Sequence, residues 1–600
     1  MKKSAYQRGG PGKRDKIATW DVETDGLGGK ILAATWIREG DTDAVYITGE
    51  PEHIIQEMFL TMCENHRFVW FAHNAQYDLR YFVERLMERM GDLSIYLRTD
   101  NDIFMVTLAL PEYGDKATLV MKDSFALFPY SLDAFSKSMC PELPKLHIDF
   151  SKVKFNPSNQ EHIEYAKRDV ESLLTALLRF DSLIFDTFDV HFKATTASTA
   201  LAAWERSLGK DEHYRPPRGY DEFIRSGYYG GLVFLTDTNM QHRAKSYDCN
   251  SSYPYQMMTH PLPIGNPIAT LEYNPDALGM YRVIVKSPDG LKVPCIPHRD
   301  NKGIVWPSGT FETTVTSVDL GFALSVGYEI LEVKEGIFWE KSAKPFESFI
   351  SKCRDLRVKY KGQALEMVAK LMQNSLYGKF GSKKVRRKIY AHLPDDEIEG
   401  CDAWGDFLVR DEIDDEMLSL PQWSVFVTAY ARRHLLKLVY AIGVGNVLYG
   451  DTDSVTVREG VTVETGLEYG QWKLEKDWTS FRARAPKVYA GILVKDSKMA
   501  GAIKGIPRKM WDLSGALDLV YNGLNGTIAY QTVPSLINVL KEPDKKEAYD
   551  AKRSISNLAN SRTWKLEEDG SVLPRSFNEI GIGTKYVKPN FSNRPFIHSF

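Results

Sequence analysis

The chain has 600 residues, a formal net charge of −3 and a hydrophobic fraction of 43%, a composition typical of a globular protein long enough for several domains. Its six cysteines are scattered without a Cys-x-x-Cys pair, which argues against zinc ribbons and a disulfide framework. No apolar run reaches about 18 residues, so we expect no membrane span. Basic clusters at 383–388, 431–434 and 481–487 stand out in an otherwise balanced chain.

Strands and helices alternate in the first third of the chain, after a basic tail at 1–15. The patterning predicts strands at 16–24, 30–37 and 68–74, a helix entered near 75–90 and a long helix at 159–180. Such alternation indicates an α/β domain over 16–195.

Carboxylates in this domain fall at spacings that bring them together. Asp21 and Glu23 are two residues apart in a strand and leave the same face. Tyr165 and Asp169 share one face of the long helix, and Asp78 follows the strand at 68–74. Four carboxylates from three elements can hold two Mg²⁺ ions, which would activate water against a phosphodiester.

A second acidic cluster lies in the later part of the chain. "YGDTDS" at 449–454 places Asp451 and Asp453 at the tip of an apolar hairpin, and Asp248 ends a predicted strand at 244–250. Unpaired carboxylates in a dry setting are unfavourable, and metal ions supply the missing positive charge. We therefore expect nucleotidyl transfer, in which metals activate a 3′-hydroxyl and hold a triphosphate.

A predicted helix at 362–377 presents polar groups over an apolar back. Lys370, Asn374 and Tyr377 fall on one face by their spacing. A lysine can bind phosphate as a point charge, and a ring beside Gly378 can pack on a base pair. A further helix is predicted at 427–442.

The early carboxylates, in the order Asp-x-Glu, "NAQYD" (74–78) and "YAKRD" (165–169), resemble the three motifs of DEDD 3′–5′ proofreading exonucleases. The resemblance implies that Asp21, Glu23, Asp78 and Asp169 bind metal and that Tyr165 orients the attacking water. It also implies that the single-stranded 3′ end is held by Thr24, His73, Asn74 and Tyr77, with base stacking on Tyr77. Lys145 is a loose match to a helper lysine of this site, with a plain surface lysine as the alternative.

The later segments "DCNSSYP", "KLMQNSLYG" and "YGDTDS" resemble motifs A, B and C of family B DNA polymerases. "YYGG" (228–231), "TAYAR" (428–432) and "KVY" (487–489) resemble the protein-primed branch of small phages and linear plasmids. Ser252 departs from the leucine common before the motif A tyrosine. The implied fold is multidomain α/β and α+β, an RNase H-like exonuclease domain followed by a right-hand polymerase with palm, fingers and thumb.

The resemblance carries roles onto the matching residues of this sequence. It implies that Asp248, Asp451 and Asp453 are catalytic metal ligands. Incoming dNTP would contact Tyr253, Lys370, Asn374 and Tyr377, and either Arg357 or Lys361 would add a phosphate-binding cation. DNA would contact Tyr228, Gly230, Gly231, Arg432 (as a template contact), Lys487 and Tyr489.

The expected layout follows the order of the motifs. After the exonuclease domain come palm (196–260), an insertion contacting priming protein and DNA (261–345), fingers (346–382), a hairpin insertion for processivity and strand displacement (383–424), palm (425–480), and palm end with thumb (481–600).

We therefore expect a proofreading DNA polymerase that uses two Mg²⁺ per site, with Mn²⁺ as a substitute, and replicates a linear phage or plasmid genome. Expected partners are primer-template DNA, dNTPs, a terminal priming protein and, as a further candidate, a single-stranded-DNA-binding protein. We expect a monomer in the host cytoplasm. The alternatives are a polymerase of the same branch that starts strands itself and an inactive DNA-binding remnant; a nuclease alone leaves 200–510 unexplained.

Overall fold

The computed structural model describes residues 12, 14–555, 564–566 and 572–574, apart from short interruptions. The interruptions are at 90–92, 100–101, 151, 210–211, 213, 237–240, 290, 292, 301–302, 384, 391–392, 395–396, 405–406, 414–417, 509, 514 and 543–547. Most of the tail at 1–15 and much of the thumb segment therefore lie outside the described residues.

A mixed seven-stranded sheet forms the first domain. Its strands follow the order Val45–Thr48, Ile31–Arg38, Lys16–Thr24, Phe68–Ala72, Thr118–Asp123, Asp102–Ala109 and Leu93–Thr99. Phe68–Ala72 runs parallel to both of its neighbours, and the outer pairs are antiparallel. Helices Pro51–Glu64, Leu132–Met139 and Gln160–Phe188 accompany the sheet, which confirms the predicted α/β character.

The helices of this domain depart from the predicted limits. The long helix continues to Phe188 because Leu173, Leu177, Phe180 and Ile184 keep one apolar face buried past residue 180. The segment at 75–90 is not one helix. It divides into Gln76–Leu79, the 3₁₀ turn Arg80–Phe82 and Val83–Met87.

A second seven-stranded sheet, antiparallel throughout, carries the later motifs. Its order is Met499–Ile503, Val488–Leu493, Trp472–Ala485, His242–Cys249, Ser454–Arg458, Val447–Asp451 and Val233–Leu235. "YGDTDS" is the predicted hairpin, with Val455 and Val457 fully buried beneath it. Its turn places Thr452 at φ 58°.

Several helices accompany this sheet, and two of them pack against each other. They are Thr196–Ser207, Asp221–Ser226, Ser252–Thr259, Glu347–Lys359, Ala364–Gly381 and Pro421–Ile442. The last begins six residues before the predicted start because Pro421 occupies its first turn and the residues that follow are buried. Glu347–Lys359 and Ala364–Gly381 pack against each other as a two-helix unit, of which the sequence predicted only the second helix, at 362–377.

Two further sheets interrupt the chain between these elements. The first comprises Ile268–Thr270, Glu329–Trp339, Leu278–Lys286 and Thr310–Thr316, followed in the chain by helix Ser317–Ser325. The second comprises Val385–Tyr390, Phe407–Ile413 and Asp402–Trp404. Both fall inside segments that the sequence marks as insertions.

The described C-terminal part returns to the first domain. It contains helices Met510–Leu513, Ala516–Asn522 and Leu536–Lys541 and the hairpin Gly526–Thr532 with Tyr549–Ile555. Leu536 and Leu540 belong to one apolar cluster with Trp20 and Leu79 of the first domain and Trp404 of the second insertion. Within the described ranges, no helix is long and apolar enough to cross a membrane.

Candidate active sites

One cluster of carboxylates lies towards the C-terminal end of strand Lys16–Thr24, an interior strand of the first sheet. Ligand oxygens of Asp21, Glu23 and Asp169 all lie within 4.8 Å of one another. Asp21 and Glu23 come from strand Lys16–Thr24, and Asp169 comes from the long helix that packs on this strand. Asp78 is buried in the short helix Gln76–Leu79 and is close enough to Asp21 for the two charges to interact.

Burial dominates the electrostatics of this cluster. It raises the pKa of Asp21 to about 7, with the charge of Asp169 adding to the effect. Burial also raises the pKa of Glu23 and Asp78 well above the usual range, and the nearby Asp21 adds to both shifts. Like charges in a poorly solvated place disfavour ionisation, so this site requires a compensating positive charge.

Lys145 supplies part of that charge. Its Nζ forms an ion pair with Asp169 Oδ2 and lies 4.8 Å from the ring centre of Tyr165. Although burial lowers the pKa of Lys145, Asp169 and Tyr165 together raise it above the usual value. The structure therefore places Lys145 in the cluster. The sequence had not decided between this position and a plain surface lysine.

The residues expected to hold a 3′ end line the approach to this cluster. Asn74 is exposed with φ 65°, and Asp123 Oδ1 accepts its backbone N–H at 2.9 Å. Tyr77 Oη lies 3.1 Å from Thr24 Oγ1. The ring of His73 is already engaged, with Nδ1 2.9 Å from Ser124 Oγ and Nε2 2.8 Å from the Tyr130 carbonyl.

The later carboxylates meet on the second sheet. Asp248 pairs across the sheet with Ser454, which itself pairs with Asp451. The Cys249 N–H donates to the Asp453 carbonyl at 2.8 Å, which fixes the turn beside the end of the neighbouring strand. Burial, together with the charges of Asp248 and Asp451, raises the pKa of Asp453 to about 6.

Two lysines flank these carboxylates. Lys487 Nζ lies 2.9 and 2.7 Å from the two carboxylate oxygens of Asp451, and Tyr449 Oη donates to the same carboxylate at 3.1 Å. Lys473 pairs across the sheet with Asp248 and reaches its Oδ1 at 3.1 Å. The sequence matched Lys487 to a motif but did not single out Lys473. Tyr489 lies on strand Val488–Leu493, and its ring centre is 5.3 Å from that of Tyr449.

Of the residues expected around a nucleotide, Tyr253 and Tyr377 lie close enough to Asp453 to feel its charge. Tyr253 and Tyr377 stack with ring centres 4.2 Å apart and planes 15° apart. Lys370 and Asn374 are exposed on the helix that carries Tyr377. Lys361 is exposed at the turn before this helix.

Arg357 lies in a different setting from Lys361. Its Nη1 donates to Ser251 Oγ at 2.8 Å and to Tyr469 Oη at 3.0 Å. Ser251 belongs to the motif A turn, so the structure brings Arg357 to the cluster from the preceding helix.

The "YYGG" segment lies against the acidic hairpin. A Cβ added to Gly231 would be 2.4 Å from Thr452 Oγ1, so only glycine fits there. The Thr452 N–H donates to the Leu232 carbonyl at 2.8 Å. Tyr228 is buried, and a Cβ on Gly381 would be 2.9 Å from its ring. Gly230 has open space around it.

Arg432 does not fit the role expected for it. Its guanidinium is fully buried and forms a bidentate ion pair with Asp319 at 2.9 Å. It also donates to the carbonyls of Tyr229 at 2.7 Å and Gly230 at 3.1 Å. A side chain so enclosed is not placed to contact a template. The structure gives Arg432 a supporting role beneath "YYGG", and Asp319, which sequence reasoning missed, is its partner.

The chemistry of the first cluster fits a divalent cation. Its donors are carboxylate oxygens, the ligands that hard divalent ions prefer. Asp169 Oδ1 is buried and has no hydrogen-bond partner among the described residues. The described part of the chain holds no second trio within 4.8 Å; at the later site, Lys487 and Tyr449 engage Asp451.

Residues 158–433 match the family described as DNA polymerase type B, organellar and viral. The matched segment comprises 276 of the 600 residues.

Individual relatives are also described as DNA polymerases. The chain is 24% identical to a DNA polymerase of Streptococcus phage Cp-1, over 86% of this chain and 93% of that protein. It is 25% identical to a probable DNA polymerase of Neurospora intermedia, over 72% of this chain but only 52% of the relative's length. In fold, it resembles Phi29 DNA polymerase complexed with primer-template DNA, with a TM-score of 0.70, 18% identity and coverage of 90% and 100% of the two chains.

The raised pKa of Asp21 predicts that ionisation of this carboxyl group destabilises the folded protein. Because its folded pKa lies above the unfolded value near ~4, its ionisation opposes folding increasingly as pH rises from about 4 through about 7. In EDTA at pH 8, Asp21→Asn should therefore raise the melting temperature, and the gain should vanish at pH 4. Asp115→Asn, on an exposed loop, is the control. Equal melting temperatures at pH 8 would contradict the burial of a charged Asp21.

The Arg432–Asp319 pair predicts a large stability effect. Asp319→Ala should lower the free energy of unfolding by about 3–5 kcal/mol because it leaves a buried guanidinium without its counter-ion. Urea titration measures the change. Glu332→Ala, which breaks the exposed Lys334–Glu332 pair, should cost less than about 1 kcal/mol. Similar costs for both variants would show that the Arg432 pair is not buried.

Proposed function

We propose that this chain copies DNA with proofreading, extending a 3′-hydroxyl at the second sheet and removing nucleotides at the first. The single observation that carries the proposal is the presence of two acidic clusters on two separate sheets of one chain. Primer-template DNA and dNTPs are the substrates. The domain layout expected from the sequence, with palm, fingers, thumb and two insertions, is part of the proposal.

At the synthetic site, Asp248, Asp451 and Asp453 would hold two Mg²⁺ ions, which when bound favour deprotonation of the 3′-hydroxyl and neutralise the triphosphate. The stacked Tyr253–Tyr377 pair supports a closely packed aromatic surface against the sugar and the nascent base pair. This surface would exclude a 2′-hydroxyl on the sugar. Lys370 and Asn374 project from the adjoining helix towards solvent and would meet the phosphates and the base pair. Lys487 would leave Asp451 to contact the primer end.

At the nuclease site, Asp21, Glu23, Asp78 and Asp169 would hold the Mg²⁺ ions. Lys145 positions Asp169 and packs on Tyr165, so these two residues would orient the attacked phosphodiester and the water. Asn74, fixed in a left-handed conformation by Asp123, would hold the single-stranded 3′ end together with Tyr77, Thr24 and His73. The hydrogen bonds of His73 favour a positioning role for its ring.

Protein priming is the second level of the proposal. The sheet between residues 268 and 339 lies in the expected first insertion, and the helix that follows its last-but-one strand in the chain contributes Asp319, the partner of Arg432 beneath "YYGG"; this placement supports a surface for a terminal priming protein. The setting would be a linear phage or plasmid genome in the host cytoplasm, with a single-stranded-DNA-binding protein as an accessory. Retention of all seven carboxylates disfavours an inactive remnant.

Separate sites predict separable activities. Asp451→Ala should abolish nucleotide addition, by a factor of about 10³ or more, and leave 3′–5′ digestion of single-stranded DNA unchanged. Asp21→Ala combined with Asp78→Ala should do the reverse. Primer extension and release of labelled 3′ nucleotides measure the two activities. Loss of both activities in either folded variant would contradict the two-site proposal.

The second insertion predicts strand displacement. On a singly primed single-stranded circle with competitor DNA as a trap, the wild type should give products longer than one circle. Replacing 385–413 by a short Gly-Ser linker should retain addition of the first nucleotides but end long synthesis. Short trapped products from the wild type would contradict this role of the insertion.

Priming is tested separately on linear duplex DNA without any primer. A protein-primed enzyme should give no product until the terminal protein is added, and the product should then be covalently attached to that protein. Synthesis by the polymerase alone would favour the strand-starting alternative.

A further inference from the structure

A polar network joins the two-helix unit to the turn after Asp248. It consists of Arg357, Gln373, Ser251 and Tyr469. The Tyr469 hydroxyl donates to Gln373 Oε1 at 2.8 Å and accepts from Arg357 Nη1 at 3.0 Å. Ser251 Oγ accepts from Arg357 Nη1 at 2.8 Å and from Gln373 Nε2 at 3.4 Å. Three parts of the chain that are distant in sequence therefore meet in this network: the turn at Ser251, the two-helix unit and the loop at Tyr469.

Gln373 is the unusual member of this network. It is fully buried on the apolar face of helix Ala364–Gly381, between buried Met372 and exposed Asn374 in the chain. A buried amide destabilises a protein unless its donor and acceptor are both used. Gln373 uses both, one towards Tyr469 and one towards Ser251. Its burial therefore depends on the network.

Arg357 is a cation without an anion. Among the described residues, its hydrogen-bond acceptors are the hydroxyls of Ser251 and Tyr469 and no carboxylate pairs with it, and its Nε is buried without a hydrogen-bond partner. Its guanidinium carbon lies 5.7 Å from the centre of the Tyr469 ring. A guanidinium has five donors and suits phosphate well. Its donors are only partly used, and it is fixed beside the turn that links Asp248 to Tyr253.

Ser251 explains why the position matters. It has φ 48° and ψ 52°, a left-handed conformation that is unfavourable for serine. Arg357 and Gln373 both donate to the Ser251 hydroxyl and hold this strained residue in the turn between Asp248 and the stacked Tyr253. The network therefore ties the cation, the carboxylate and the sugar platform into one geometry.

We propose that Gln373 and Tyr469 are positioning residues that hold Arg357 as a ligand of the dNTP triphosphate. This inference rests on the proposed synthetic function, and it selects Arg357 over the exposed Lys361. The two hydroxyls keep the guanidinium in place before the nucleotide arrives, so less side-chain freedom is lost when phosphate binds.

The test compares Tyr469→Phe and Gln373→Leu with the wild type in single-nucleotide incorporation. Tyr469→Phe should raise KM for dNTP about tenfold, because it removes one hydrogen bond to the Arg357 guanidinium. Gln373→Leu should raise KM in the same direction, because it removes the partner that orients both hydroxyls. Both variants should change kcat less than about threefold. The concentration of inorganic pyrophosphate needed for the reverse reaction should rise by a similar factor, because the lost contact is to phosphate. Tyr360→Phe, at the end of the Arg357 helix, should leave KM unchanged.

A double-mutant comparison separates positioning from simple stability. In an Arg357→Ala background, Tyr469→Phe should raise KM no further, because its effect acts through the guanidinium. Digestion of single-stranded DNA reports that each variant is folded. Unchanged KM in Tyr469→Phe and Gln373→Leu with intact digestion would overturn the inference, as would full additivity with Arg357→Ala. Absence of incorporation by the wild type would instead refute the proposed function itself.

Discussion

Mutual repulsion of buried carboxylates is the constraint on which the rest of this structure depends. Both sites gather acidic groups at the ends of strands, where burial and neighbouring charge raise the pKa of Asp21 and Asp453. Neither sheet would hold such groups together for stability alone. In each site lysine neighbours offset part of the repulsion: Lys145 at Asp169, Lys487 at Asp451 and Lys473 at Asp248.

The lysines differ in how the fold places them. Lys473 is opposite Asp248 in a strand pair, so the ladder itself sets their separation. Lys487 follows a strand and has φ 59°, and its N–H is bonded to Tyr449 Oη at 2.9 Å. Lys145 reaches Asp169 from an irregular segment. Three unrelated local structures thus meet the same electrostatic requirement.

Local spacing was enough to find the carboxylates, because each motif is a short-range geometric statement. A two-residue period puts Asp21 and Glu23 on one face, and a four-residue period aligns Tyr165 with Asp169. The supporting residues were different. Arg432 lies in the basic cluster 431–434 and was expected to contact the template. Its actual partner is Asp319, which lies 113 residues away in the chain. No local pattern reveals such a pairing.

Gln373 shows the same limit in a helix that was otherwise predicted well. Lys370 and Asn374 are exposed as their spacing indicated, but the buried amide interrupts the apolar face. Its partners Ser251 and Tyr469 lie 122 and 96 residues away. The long helix from Gln160 also exceeded its predicted end, because tertiary packing continued its apolar face where the sequence signal faded.

The order of strands in the second sheet also bears on how the chain folds during synthesis. His242–Cys249 is central, and both of its neighbours, Ser454–Arg458 and Trp472–Ala485, come from more than 200 residues later. The strand must therefore wait unpaired while the ribosome makes the residues in between, for ten seconds or more at ~5–20 residues per second. The first sheet is complete by Asp123 and its covering helix by Phe188, so it can fold during that interval. The unpaired strand His242–Cys249 of the second sheet makes the later part of the nascent chain the segment most in need of chaperone protection.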